Sequence, residues 1–113
     1  MTNIKIFCKN KNIVAFEVSG HTGYADFGKD ILCAAISAIT QSACIGITKV
    51  LKLKAVINKN DKKGYLKLSL PKNLNEEDLK NSQIVLGTMK QTLDDLLFDY
   101  GDYINMEVQD EIY

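Results

Sequence analysis

Apolar and polar residues alternate twice at the start of the chain. Ile4, Ile6 and Cys8 interleave with Asn3, Lys5 and Phe7; after the polar turn KNKN at 9–12, Val14, Phe16 and Val18 interleave with Ala15, Glu17 and Ser19. A period of two is strand periodicity, so the pattern predicts a hairpin with the first-named residues of each set inward. From Ile31 to Leu51 polarity nearly vanishes, interrupted only by Ser37, Thr40, Gln41, Ser42, Thr48 and Lys49. Such a stretch predicts a helix covered on nearly all sides. Its small residues, among them Ala34, Ala38, Ala43 and Gly46, leave room for another element to come close. One sheet covers one face, and the remainder calls for a second helix or a second copy of the chain.

The pattern then repeats. KAVIN and YLKLSL flank the turn KNDKKG and predict a second hairpin with Leu66, Leu68 and Leu70 inward, ended by Pro71. Asn75 suits the N-cap of a second helix, with Glu76, Glu77 and Asp78 near the positive end of its dipole. Leu79, Leu86, Met89, Leu93, Leu96 and Tyr100 form its apolar stripe, and Gly101 suits the C′ position. Ile104, Met106 and Val108 are the inward residues of a last strand. The order is ββαββαβ: an α+β fold, a mostly antiparallel sheet with two helices, one domain over residues 1–113.

Composition adds limits. With 113 residues, 46% hydrophobic and 25% charged, the chain supports one ordinary folded core. No stretch is expected to approach the roughly 18 to 20 uncharged apolar residues that a membrane span needs, and MTNIKIFCKN lacks the features of a signal peptide, so the expected location is cytoplasmic. There the three cysteines are expected to be reduced thiols. Net charge is zero but uneven: +7 over residues 49–72 and −8 over 73–113. The basic part could meet RNA, yet the chain has no arginine, the side chain best suited to phosphate and guanine. A solvated lysine-rich hairpin explains it without a partner.

The chemistry concentrates in GHTGYADFGKDILCAAIS, residues 20–37, which holds the only histidine. Asp30 suits the N-cap of the first helix, which puts Cys33 at N3. Orphan N–H groups and the helix dipole there favour a thiolate, and an imidazole can favour it further. The loop 20–30 is long enough to return His21 to Cys33, and Ser37 lies one turn on along the same helix face. Backbone N–H groups at the helix start are candidates for an oxyanion hole. Cys44, about 16 Å further along the helix, and the inward Cys8 read as core. No metal site is expected, since one His, one Cys and two aspartates make a poor tetrahedral set; no cofactor is expected either, since the loop matches neither glycine-rich phosphate motif. On spacing alone a catalytic Cys–His pair competes with a structural His and a core Cys. It also competes with an RNA- or ribosome-associated assembly factor, and with another thiol enzyme such as a thioesterase or redox sensor.

The same stretch resembles the signature of the Prp family, the ribosomal-processing cysteine proteases, in Gly20-His21, Gly28, Asp30, Cys33-Ala34-Ala35 and Ser37. Thr22 stands where the family often has alanine. The resemblance implies a cysteine protease with Cys33 as nucleophile, His21 as general base or ion-pair partner, and Asp30 and Ser37 in support. It implies a homodimer as well. It also implies a substrate: the short N-terminal extension of a large-subunit ribosomal protein, the twenty-seventh of its series, cut after two aromatic residues. Gly20, Gly23 and Gly28 would let the loop order over a bound peptide, and Thr22, Tyr24 and Phe27 would line it.

Overall fold

Strand periodicity at the N-terminus produces the expected hairpin. In the computed structural model, which describes residues 1–21, 25 and 30–110, β1 (Thr2–Lys9) pairs antiparallel with β2 (Asn12–Ser19). Asn10 and Lys11 link them with φ values of 52° and 68°. Two left-handed residues in a row twist a two-residue turn in the sense that the strands need. After α1 (Ile31–Ile45) come β3 (Val56–Asn60), β4 (Tyr65–Ser69), α2 (Glu76–Tyr100) and β5 (Ile104–Asp110). The sheet order is β3-β4-β2-β1-β5, antiparallel throughout except that β1 and β5 run parallel. Both helices join Ile4, Ile6, Phe16 and Leu68 in one core. The ββαββαβ order and the α+β class therefore stand.

Several local expectations need correction. Val14 is not an inward residue in phase with Phe16. A bulge sets Phe7 opposite Ala15 but Cys8 opposite Ile13, so Val14 is the extra residue and Ile13 takes the core position. Gln83 of α2 accommodates the break: its Oε1 accepts from Ile13 N at 2.7 Å and its Nε2 donates to Ile13 O at 2.8 Å. It does so where the β2–β4 ladder has ended, at Ala15–Ser69. Phe7, on the outer face, is nonetheless buried, with the Lys67 ammonium 5.3 Å from its ring centre. Gly101 has φ −60°, so it does not supply a left-handed C′; the chain turns with Tyr103 N donating to Tyr100 O instead. Val108 is 48% exposed, because only Ile104 and, in part, Met106 of the edge strand β5 lie under the core.

The long apolar helix behaves as its composition demands. Asp30 caps it, and past Ile45 it runs on through a π-turn over Gly46–Val50. Leu32, Ile36, Ala43 and Ile47 are buried. A β-carbon on Gly46 would lie 2.9 Å from Val85 Cγ1, so the glycine is what lets α2 approach. One reading is overturned here: Ile31–Val50 is long and apolar enough to cross a membrane. Single uncharged polar residues hide within such a run. In this fold it is the core helix of the sheet, with Thr40 and Thr48 hydroxyls donating to the carbonyls of Ile36 and Cys44.

The Gln83 clamp predicts a measurable cost. Gln83→Ala should destabilise the protein by about 1–3 kcal/mol in urea unfolding, because two backbone groups of Ile13 lose their partner. A change within experimental error would show that solvent replaces the clamp.

Candidate active site

Two elements end at the same edge of the molecule. β2 leaves the sheet through Gly20, held at φ +85° with Met1 O 2.8 Å from where a β-carbon would sit, and His21 follows. α1 begins beside it. Asp30, buried, adopts the extended backbone of an N-cap (φ −79°, ψ 96°), and its Oδ1 accepts a hydrogen bond from Cys33 N at 2.9 Å. Cys33 is thus at N3, half-buried in the first turn. His21 Nδ1 lies 3.8 Å from Cys33 Sγ, within hydrogen-bond range for sulfur. Residues twelve apart in sequence meet as the loop length allows.

Both open into a cleft of about 460 Å³ between α1 and the β3–β4 hairpin. Ser37 and Gln41 line it from the helix, Lys59, Asp61 and Tyr65 from the hairpin, and Thr2 from below. Among the described residues, Thr2 Oγ1 is the buried side-chain oxygen with no hydrogen-bond partner. Ser37 shares the cleft with Cys33 as expected, but its hydroxyl accepts from Gln41 Nε2. Gln41 Oε1 in turn accepts from Lys59 Nζ at 3.4 Å, and Lys59 lies 3.5 Å from Asp61 Oδ1. This chain of contacts ties helix to hairpin across the cleft. Sequence reasoning missed Gln41, Lys59 and Asp61, whose only signal was the four-residue step from Ser37 to Gln41 and a turn read as plain solvent-facing loop.

The helix start is partly spoken for. Asp30 takes the N–H of Cys33 on its carboxylate and that of Ala34 on its carbonyl at 3.1 Å. The Ala34 bond is the first regular helical one, so among the orphan donors of the first turn Cys33 N is the one that the Asp30 side chain satisfies. Gly20 and Asp30 stand where the sequence put them, whereas Thr22, Gly23, Tyr24, Phe27 and Gly28 lie outside the described residues. Among the described residues no group of His, Cys, Asp and Glu could hold a metal ion.

The three thiols differ in setting. Cys8 and Cys44 are buried and Cys33 is not. Burial pushes the Cys8 thiol up, with Asp110 adding to it and Lys90 opposing. Burial pushes Cys44 up as well, with Lys59 opposing. A raised value leaves less thiolate at any pH below it.

The chain is similar to known proteins over most of its length. The family described as cysteine protease Prp matches residues 1–105. The ribosomal processing cysteine protease Prp of Bacillus subtilis (strain 168) is 25% identical over 97 residues, covering 86% of this chain and 87% of its own length. The essential ribosomal processing protease Prp from S. aureus, holding a covalently linked product peptide, superposes with a TM-score of 0.86 at 22% identity, covering 96% of this chain and all of its own. With a substrate peptide it superposes at 0.80 and 20% identity, with the same coverage. At these identities the two superpositions carry the fold.

Iodoacetamide should therefore modify Cys33 first, with Cys8 and Cys44 following only as the pH rises past the ordinary thiol range. Peptide mapping by mass spectrometry reads the order directly. Labelling of Cys8 or Cys44 ahead of Cys33 would contradict it.

Proposed function

The chain belongs to the cysteine protease Prp family, and we propose that it removes an N-terminal extension from a large-subunit ribosomal protein by Cys33–His21 nucleophilic catalysis. The observation that carries the proposal is the 3.8 Å approach of His21 Nδ1 to Cys33 Sγ at the capped start of α1, in the wall of an open cleft. With a peptide across the cleft, His21 Nδ1 takes the thiol proton and the sulfur attacks the scissile carbonyl carbon. The new C–S bond forms as the carbonyl oxygen takes the negative charge. Collapse of that adduct expels the amine, which leaves with the proton from His21. Water, deprotonated by His21, then hydrolyses the thioester and frees the thiol. Asp30 acts through the helix: its carboxylate fixes Cys33 N and with it the direction of the Cα–Cβ bond that carries the sulfur.

The names of the relatives support the substrate class, since they are ribosomal processing proteases and one holds a product peptide covalently linked. A cytoplasmic location is part of the proposal, and a ribosomal-protein substrate supports it. The proposal includes a homodimer. Between α1 and α2 runs a groove of about 540 Å³ lined by Ala38, Ser42, Gly46, Ile84, Val85 and Thr88. Ile84 is 62% exposed beside it. A second copy laid on this groove covers the part of α1 that the sheet and α2 leave open.

Two experiments test the proposal. Cys33→Ala and Cys33→Ser should abolish cleavage of a peptide spanning the extension while leaving thermal unfolding near wild type, and His21→Ala should lower kcat by about a hundred- to ten-thousandfold. Cleavage by Cys33→Ala at the wild-type rate would end the protease reading. Separately, Ile84→Glu should turn a sedimenting dimer into a folded monomer, because an ionised carboxylate would have to be desolvated in the interface. A dimer that survives the substitution would place the contact elsewhere.

A further inference from the structure

The turn between β3 and β4 reaches the imidazole. Asn60 Oδ1 accepts from Lys63 N at 3.3 Å and closes a single 3-10 turn over Asp61–Lys63. Gly64 follows in the left-handed region, at φ 58° and ψ 40°, its N–H on Asp61 O at 3.2 Å. Conformation alone asks for glycine or, at small cost, asparagine. Space asks for more. A β-carbon on residue 64 would lie 2.6 Å from Gly20 O and 3.1 Å from His21 Cε1. Gly20 cannot give way freely, since its far side is already against Met1 O. The clash with Gly20 O forces the Gly20 backbone or the turn to shift, and either shift disturbs the adjoining His21, whose Cε1 is bonded to Nδ1, the nitrogen that faces Cys33 Sγ.

We infer that Gly64 is a positioning residue for the reaction: its bare α-carbon is the backstop that sets the separation between His21 Nδ1 and Cys33 Sγ. The pair is then fixed from two sides, by Asp30 at the cysteine and by the hairpin turn at the histidine. The hairpin that forms one wall of the cleft is also the one that holds the base. The inference rests on the protease reading for its kinetic consequence, and on packing alone for its structural one.

The test uses Gly64→Ala, Gly64→Asn and Asn60→Ala in the full chain. The single histidine gives one Hε1 resonance, which in wild type should show a cross-peak to the Gly64 α protons. Both Gly64 variants should shift that resonance, lower kcat about a hundredfold with KM within about twofold, and slow Cys33 carboxamidomethylation roughly fivefold. Asparagine relieves backbone strain, so Gly64→Asn should melt above Gly64→Ala yet be no more active. Asn60→Ala should loosen the turn and lower the melting temperature while keeping kcat within about twofold. Wild-type kcat in Gly64→Asn, or the Gly64 kinetic defect reproduced by Asn60→Ala, would overturn the inference. If Gly64→Ala does not fold, Gly64→Asn decides alone. If wild-type protein fails to cut the peptide, the protease reading falls, while the cross-peak and the Cys33 labelling rates still decide whether Gly64 sets the ring.

Discussion

An apolar helix has to be covered, and the fold is organised by that need in α1. The sheet takes Leu32, Ile36 and Ile47 on one side. α2 comes in where Gly46 has no side chain to keep Val85 away. At its N-terminal half the cover gives way to a cleft, and there the helix carries Cys33, Ser37 and Gln41 on its open side. Burying the rest of α1 anchors the first turn, so the nucleophile sits on a rigid element rather than on a loop. The chemistry occupies the place where hydrophobic cover ends.

The three cysteines show how far environment decides the fate of one functional group. In Cys8 and Cys44 the sulfur is packing material, and burial holds it protonated. Cys33 differs from them in position and in its neighbour. It stands at the end of an element, where backbone donors outnumber acceptors, with the chain's one imidazole across from it.

Much of this was legible because the governing rules are local. Period-two alternation in β1 and β4, Asp30 and Asn75 as caps, and the stripe through Leu86, Met89 and Leu93 on α2 each depend on residues close in sequence, and each appears as read. The approach of His21 to Cys33 was one of several readings that an eleven-residue loop allows, and the resemblance of residues 20–37 to the Prp signature singled it out. What escaped reading depends on residues far apart in sequence. The bulge at Val14 is tolerated because Gln83, seventy residues on from Ile13, supplies the missing partners. Gly64 looks like any turn glycine until the fold brings His21 against it. The exposure of Val108 follows from where the helices stop, which strand alternation cannot express. The membrane-scale length of the apolar run over Ile31–Val50 escaped because single uncharged polar residues break it up along the sequence.

The parallel pairing of β1 with β5 sets Thr2 beside Ile104 and ties Thr2 N to Tyr103 O at 3.0 Å. Almost the whole chain thus lies between two neighbouring strands, a contact of very high sequence separation. On the ribosome β1 and β2 emerge first and can form their hairpin at once, but β1 keeps one bare edge until residues 104–110 have left the exit tunnel. Thr2, which floors the cleft, is locked in place only by that last event. The geometry of the cleft is therefore completed after synthesis of β5, and a nascent chain that has already made both His21 and Cys33 still lacks the strand that fixes its floor.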